Sequence, residues 1–185
     1  MPRTKTISDA VVLNRVLDAL VDSGPGGFTL AVAAERTGLA APTLLQRYGS
    51  KRALIRAAFR QANDALRRRF DTIAERGPSR ERLISSLVDL ARAFGDGASM
   101  ADQFVMLAED LRDPDLAAIA AERTAMIRDF VGRMLPTARI EPNAAARLIE
   151  AQWHGAVVQA ALSGSRDIPG QVRRNIRRLI DLIEG

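Results

Sequence analysis

Apolar residues recur along this chain with the spacing of a helix, and Gly and Pro interrupt that spacing at intervals. The first apolar stripe follows positions i, i+3, i+4 and i+7 and consists of Leu13, Val16, Leu17 and Leu20. That spacing places the four side chains on one helix face. No stretch alternates apolar and polar residues with the period of two that a half-buried strand requires. The pattern therefore predicts an all-α fold.

The breaks in this pattern predict about nine helices. Thr29, Ser50 and Ser79 each precede an apolar-periodic stretch, where a hydroxyl can cap the free N–H groups of a first turn. Gly and Pro lie between the stretches. We predict a first helix that ends near residue 23. The other helices are predicted at about 30–36, 41–48, 50–76, 79–94, 99–111, 114–134, 142–163 and 169–183. The domain boundary is predicted inside the fourth helix or at Gly77-Pro78. We place it inside the helix, which gives a domain at 1–54 and one at 55–185.

The composition excludes several classes of protein. The 185 residues include no Cys, which excludes disulfides, thiolate nucleophiles and Cys-ligated metal sites and is compatible with a reducing cytosol. No apolar run approaches the ~20 residues that span a bilayer. The basic start of the chain is not followed by the apolar segment of a secretory signal. We therefore expect a cytoplasmic protein that makes no membrane contact.

Positive charge is concentrated in the first two fifths of the chain. Residues 1–76 carry 13 Lys and Arg against 7 Asp and Glu, whereas residues 77–185 carry 14 against 15. The whole net charge of +5 therefore comes from the N-terminal part. This asymmetry indicates that an acidic polymer or surface is the partner of that part. The alternative is a basic solvated surface without a partner.

Residues 28–54 have the pattern of a helix-turn-helix. Two predicted helices of about two turns flank Gly38, and such helices cross steeply only where the residue at the crossing is small. Ala34, four residues before Gly38, is that small residue. Leu39 and Leu44 are expected to pack the second helix onto the first. The second helix then presents side chains that can hydrogen-bond base edges or phosphates, namely Thr43, Gln46 and Arg47.

This ordered set resembles the DNA-binding domain of the TetR family of transcriptional regulators. The resemblance covers about residues 8–60 in pattern and the whole chain in outline. It is carried by the helix end at Gly24, the Thr29 cap, Ala34, Gly38, Thr43-Leu44 and the block Tyr48-Gly49-Ser50-Lys51. It implies an N-terminal three-helix DNA-binding domain followed by a helical domain for effector binding and dimerisation.

The resemblance also implies roles for single residues of the first domain. Thr29 and Lys51 match positions that contact DNA phosphates, each at a helix N-terminus that favours an anion. Thr43, Gln46 and Arg47 match the recognition helix, and a solvated surface is the alternative for the last two. Tyr48, where Phe is usual, is included among the DNA-binding residues, with core packing as its alternative.

Three residues depart from the family pattern. Ala40 stands where a Ser or Thr cap is usual, which costs the recognition helix about 1 kcal/mol of capping. Leu45 replaces a common phosphate-contacting Tyr, and Ala31 stands where many members carry a polar or Arg reader. The predicted DNA-binding surface therefore has fewer hydrogen-bonding side chains than the pattern provides.

The second domain carries more apolar residues than simple helix pairing requires. Four of the five Met residues lie there, and Met adapts to irregular cavities. By resemblance this domain holds a pocket for a small, mainly apolar effector. The predicted lining consists of Met100, Phe104, Leu107, Met126, Phe130 and Trp153. For each of these residues the alternative is a plain helical core.

The last two predicted helices are expected to form the interface of a homodimer. Residues 147–162 resemble the penultimate helix of the family, which pairs with the last helix and with both helices of a second copy. Gly155 and Ala156 permit close helix approach, and Ile176 and Ile180 are expected to extend the interface on the last helix. A two-fold dimer implies double-stranded DNA with a palindromic operator as the partner.

The sequence contains no catalytic motif such as Gly-x-Ser-x-Gly or a phosphate-binding Gly loop. Glu150 and His154 lie at i, i+4, but one His and no Cys would leave a metal site to carboxylates, so we expect no metal and no cofactor. The resemblance implies a transcriptional repressor that an effector releases from its operator. The alternative is a helical dimeric interaction module that has lost specific DNA binding.

Overall fold

A computed structural model describes residues 7–92, 112–135, 139–165 and 167–185. These residues form eight α-helices and no strand, which confirms the predicted all-α class. The helices are α1 (Asp9–Gly27), α2 (Leu30–Thr37), α3 (Ala41–Tyr48), α4 (Lys51–Ala74), α5 (Arg80–Ala91), α6 (Pro114–Met134), α7 (Pro142–Leu162) and α8 (Ile168–Glu184). The helix predicted at about 99–111 lies outside the described residues.

Hydroxyl caps begin three helices at the predicted positions. The side-chain oxygens of Thr29, Ser50 and Ser79 accept hydrogen bonds from the backbone N–H three residues further on, at 3.1, 3.0 and 3.3 Å. Ala40 precedes α3 without a side-chain hydrogen bond, as its methyl group requires. α1 is interrupted at Gly24, which has φ 64° and ψ 170°, and one helical turn follows the interruption. Glycine adopts this left-handed backbone without the steric penalty of a Cβ.

The first four helices enclose their own apolar core, called here the head core. Apolar faces of α1, α2 and α3 meet the beginning of α4, and Phe28 fills the space between α1 and α2. The head core consists of Val12, Leu13, Val16, Ala19, Leu20, Phe28, Ala33, Leu44, Leu54 and Ala58. The helix-turn-helix is therefore a packed unit that α4 extends.

A second and larger core, called here the body core, is enclosed by the end of α4 and by α5 to α8. Phe70 of α4 stacks on Phe130 of α6, with ring centroids 4.0 Å apart and planes 5° from parallel. Burial of two such rings excludes a large apolar area from water. α7 and α8 pack along each other, and the apolar stripe of α8, from Val172 to Ile183, lies in this core.

A small cluster joins the two cores. Phe59 of α4 packs with Leu116 and Ile119 of α6, and Leu17 and Ile55 of the head lie against them. The start of α6 therefore rests on the part of α4 that carries the head.

Candidate nucleic-acid interface

The turn between α2 and α3 has the geometry that the sequence pattern predicts. Gly38 is left-handed, with φ 72° and ψ 17°, and its N–H donates to the Ala34 carbonyl at 2.9 Å. Thr37 is buried, and its hydroxyl donates to the Ala33 carbonyl at 2.7 Å. Leu44, only 1% exposed, anchors α3 in the head core. The helix-turn-helix is thus held by backbone caps and one buried leucine.

The outward face of α3 consists of residues at i, i+3, i+4 and i+7. These exposed residues are Pro42, Leu45, Gln46 and Gly49, while Thr43 is half-buried. Leu45 is a large aliphatic side chain that is 39% exposed. Of the predicted recognition residues, Gln46 is the one that lies fully on this face.

Arg47 and Tyr48, both predicted to bind DNA, contact the beginning of α1 in this structure. The Arg47 guanidinium lies 2.9 Å from Asp9 Oδ1 and donates to the Ile7 carbonyl at 3.1 Å. The Tyr48 hydroxyl donates to the same Asp9 oxygen at 2.6 Å. Partial burial and the Asp9 carboxylate raise the pKa of Tyr48 to about 12. In this arrangement both side chains brace α3 against α1.

Asp9 is a residue of the site that sequence reasoning missed. Its place in the first turn of α1 is a helix-start signal and gives no indication of a partner 38 residues later. Nothing in the local pattern relates it to α3, because the contact exists only once the fold brings the end of α3 next to the start of α1.

The two predicted phosphate anchors lie near each other. Thr29 is the exposed N-cap of α2, and Lys51 is the exposed first residue of α4. The Lys51 ammonium lies 5.7 Å from the ring centroid of Phe28, the residue next to Thr29. No carboxylate of the described residues lies within ion-pair distance of Lys51. Two helix N-termini and a lysine thus share one edge of the head.

The other arginines near this edge are neutralised by carboxylates. Arg36 lies 2.6 Å from Asp22, and Arg52 lies 3.2 Å from the buried Asp113. The Arg47 pair described above follows the same pattern. Three arginines of the N-terminal part are therefore paired with carboxylates, and one of these carboxylates, Asp113, comes from outside that part.

Asp113 holds the start of α6 to α4. Arg56 donates to both of its carboxylate oxygens, at 2.9 and 2.8 Å, and the carboxylate also caps α6 through the N–H groups of Asp115 and Leu116. The Arg56 hydrogen bonds, with help from the cap, hold the pKa of Asp113 below its ordinary value. In the sequence this segment is recognisable only as a break between two predicted helices.

A second polar link joins the same two helices further along. The buried Asn63 of α4 donates to the Ile119 carbonyl at 2.9 Å and accepts from Arg123 Nε at 3.0 Å. Both links lie on α4, the helix that also carries Lys51. Any shift of α6 along α4 therefore requires these hydrogen bonds to break.

The predicted effector-pocket residues occupy two kinds of position. Met100, Phe104 and Leu107 lie outside the described residues. Met126, Phe130 and Trp153 are buried. Phe130 is stacked in the body core, and the Trp153 indole N–H donates to the Leu87 carbonyl at 2.7 Å. In the described part of the chain, Phe130 and Trp153 therefore act as core residues.

A cavity of about 310 Å³ lies between α4 and α6. Phe70 and Met126 form its apolar floor, so Met126 is the predicted pocket residue that lines it. Its rim is charged and consists of Arg67, Asp71, Glu122, Asp129 and Arg133. Arg67 pairs with Glu122 at 2.6 Å, and Arg133 pairs with Asp71 at 2.9 Å. The rim charges thus satisfy one another.

The predicted interface residues fall into two groups, those buried within the chain and Gly155, which faces outward. Ala156, Ile176 and Ile180 are 0% exposed within a single chain, so their side chains face its own core. Gly155 faces open space, because a Cβ added there would meet no atom within 4 Å. Leu148 and Leu162, seven residues to either side of Gly155, are 49% and 79% exposed. The apolar surface open to a second copy is this stripe of α7.

Glu150 and His154 of α7 contact each other, and Glu150 also contacts Arg128 of α6. His154 Nδ1 lies 2.7 Å from Glu150 Oε1, and Arg128 of α6 donates to Glu150 Oε2 at 2.9 Å. In the described ranges no three His, Cys, Asp or Glu residues lie together as a metal site would require. None of the described helices is long and apolar enough to cross a membrane.

Several solved structures are similar to this one. A TetR transcription regulator from Haloarcula marismortui shares 13% identity at a TM-score of 0.76, covering 96% of this chain and 99% of that one. A transcriptional regulator from Rhodococcus shares 20% identity at 0.72, covering 95% and 96%. The reduced form of E. coli NemR shares 16% identity at 0.73, covering 91% and 95%. At these identities the likeness establishes the fold. Among curated proteins no sequence matches.

The class defined by this fold is a helix-turn-helix head on a helical body. Residues 78–182, more than half of the chain, match the family model of the tetracyclin repressor-like C-terminal domain. The chain belongs to the TetR family of transcriptional regulators.

Proposed function

We propose that this chain is a homodimeric, sequence-specific DNA-binding repressor that a small, mainly apolar effector releases from a palindromic operator. The proposal places the protein in the cytoplasm, where its DNA is. It assigns DNA binding to residues 1–54 and effector binding and dimerisation to residues 55–185. The partition of the apolar residues into a head core and a body core supports that division.

The observation that carries the DNA-binding proposal is the arrangement around α3. An exposed helix of eight residues is flanked by Thr29 and Lys51 at the N-termini of α2 and α4. Helix N-termini and a lysine attract phosphates, while the helix between them can enter a major groove. In this scheme Gln46 reads base edges, and Thr29 and Lys51 set the position of the head on the duplex.

Dimerisation is supported by the apolar stripe on α7. Leu148, Gly155 and Leu162 share one face because they are spaced by seven residues, and Leu182 of α8 is 81% exposed. Pairing of α7 and α8 with a second copy would cover these side chains. Two heads would then contact half-sites about 34–36 Å apart, or a multiple of that distance, which requires a palindrome.

Effector control is supported by the linkage of α6 to α4. The apolar residues of the body core favour an apolar ligand, whereas five of the eight residues that line the α4–α6 cavity are charged. Ligand binding that moves α6 would move α4 through Asp113 and Asn63 and would thereby tilt the head. The competing candidate is a dimeric interaction module without specific DNA binding, which the paired arginines of the head favour.

One experiment separates these two functions. Sequences bound by the purified protein are selected from random double-stranded DNA, and the affinity for the selected sequence is compared with that for random DNA over a range of salt concentrations. A repressor enriches a palindrome and binds it at least 10³-fold more tightly than random DNA. An interaction module enriches no sequence, and that outcome would overturn the proposal.

A further inference from the structure

The outward face of α3 carries no charged side chain. Its exposed members are Pro42, Leu45, Gln46 and Gly49, so two of the three side chains are apolar and one is an amide. Arg47, the cation on this helix, is turned to Asp9 and Ile7. Leu45 therefore lies beside Gln46 at the centre of the surface that would face a groove.

The chemistry of Leu45 and Gln46 suits contacts with two different bases, thymine and adenine. The major groove presents hydrogen-bonding edges and one apolar group, the C5-methyl of thymine. Leu45 has no donor or acceptor, so the thymine methyl is the group on a base edge that it can recognise favourably. The amide of Gln46 matches the N7 acceptor and N6 donor of adenine.

We propose that Leu45 reads the C5-methyl group of a thymine in each operator half-site, beside an adenine bound by Gln46. The inference rests on the proposed function, because it presumes that α3 enters the major groove. It specifies the chemistry of the operator: the base pairs under the middle of α3 are A·T pairs. Lys51 and Thr29 supply affinity for phosphates without sequence preference.

The size of the effect follows from the burial of one methyl group. Removing a single methyl contact is expected to weaken binding by roughly fourfold in each half-site and roughly fifteenfold in a symmetric operator. That loss is measurable, and it is confined to one position of each half-site.

The test replaces thymine by deoxyuridine, which lacks only the C5-methyl group. In the operator selected from random DNA, each thymine is replaced in turn in both half-sites, and the full-length protein is titrated against each duplex. The variants are Leu45→Ala, Leu45→Met, which keeps an apolar side chain, and Val21→Ala. Val21 is 55% exposed on α1 and serves as a matched control for loss of an exposed aliphatic side chain.

The expected result is one uracil-sensitive position for the wild type, Leu45→Met and Val21→Ala, and no sensitivity at that position for Leu45→Ala. Circular dichroism checks that each variant is folded. Tolerance of uracil at every thymine, or equal sensitivity in Leu45→Ala, overturns the inference and leaves specific binding intact. If no sequence is bound specifically, the proposed function fails and this inference fails with it.

Discussion

At the scale of single residues, the head shows how a tertiary contact changes the role that a residue type suggests. Arg47 and Tyr48 both have groups that bind DNA in other settings, yet both converge on Asp9. The Tyr48 hydroxyl and the Arg47 guanidinium share one carboxylate oxygen of Asp9. The residues of α3 that are left for base contacts are mainly uncharged.

Tyr48 is the only tyrosine of the chain, so its titration can be followed directly. Its pKa is raised from 10.0 to about 12, which means that the neutral phenol stabilises the folded state. That stabilisation is fully present below pH 10 and is lost as the pH rises through about 12. Absorbance near 295 nm should show a midpoint close to pH 12 in the folded protein and close to 10 in urea.

Variants of Asp9 should lower this midpoint in a fixed order. Asp9→Asn removes the negative charge and keeps an acceptor, while Asp9→Ala removes both, so the alanine variant should titrate lower. Both should stay above 10, because burial is the largest cause of the shift. Asp18→Asn, an exposed carboxylate elsewhere on α1, is the control. An unchanged midpoint in Asp9→Ala would contradict the bracing role.

Three variants distinguish a residue that contacts phosphates, one that contacts base edges and one that stabilises the folded head. Lys51→Ala should weaken binding to all DNA and reduce the slope of log affinity against log salt by about two per dimer. Gln46→Ala should cost about 1–3 kcal/mol per half-site on the operator alone. Arg47→Ala should cost about 1 kcal/mol of folding stability or less and leave base preference unchanged.

The control for the lysine is Arg68→Ala, which removes the same charge about 25 Å further along α4. It should leave the salt slope unchanged. A loss of base preference in Arg47→Ala would return this residue to the recognition surface.

At the scale of elements, α4 determines how the head is attached to the body. Its first half closes the head core, its second half enters the body core, and Asp113 and Asn63 tie α6 to its middle. Because one carboxylate both caps α6 and pairs with Arg56, the start of α6 depends on α4 for its geometry.

Variants at Asp113 should separate its cap from its charge. Asp113→Asn keeps a good N-cap but loses the ion pair, whereas Asp113→Ala loses both, so the midpoint of urea unfolding should fall further for alanine. Asp115→Asn, an exposed neighbour that also contacts Arg56, should have the smallest effect.

The difference between wild type and Asp113→Asn should depend on pH. The pKa of Asp113 is lower in the folded chain than its ordinary 3.8, so its contribution is present above about that pH. It is lost as the pH falls through the lower folded value. A stability difference that is constant down to pH 2 would show that the charge is not involved.

At the scale of the whole molecule, the stripe of Leu148, Gly155 and Leu162 on α7 is an apolar surface that the described part of the same chain does not cover. Exposed leucines at 148, 162 and 182 are costly unless a partner covers them, whereas the isoleucines of α8 are already buried. The interface that we propose is therefore built from the outer residues of α7 and α8.

Gly155→Leu should separate folding from dimerisation. A Cβ added at this position meets no atom within 4 Å, and Leu favours a helix over Gly by about 1 kcal/mol, so the monomer should fold normally. The new side chain would lie between two copies, so sedimentation velocity should show a weaker dimer.

Gly132→Leu is the matched control. Gly132 lies in α6, and a Cβ added there also meets no atom within 4 Å. This variant should sediment as the wild type does. Equal dimer affinity for both leucine variants would place the interface elsewhere.

Local sequence patterns were sufficient to predict where the described helices from α2 onwards begin. Thr29, Ser50 and Ser79 cap helices at the predicted positions, because a cap joins residues only three apart. The same holds for the turn at Gly38 and for the burial of Leu44. Capping, helical periodicity and left-handed glycines depend on residues that are close together in the chain, so the sequence alone is enough to predict them.

Side-chain roles were decided by tertiary packing. The partners of Arg47 and Asp113 lie 38 and 57 residues away in sequence, and no spacing rule links them. Likewise, periodicity identified an apolar face on α8 but did not distinguish a face that packs on its own chain from one that meets a second copy. That distinction depends on which surfaces remain after the helices pack, which only the three-dimensional arrangement determines.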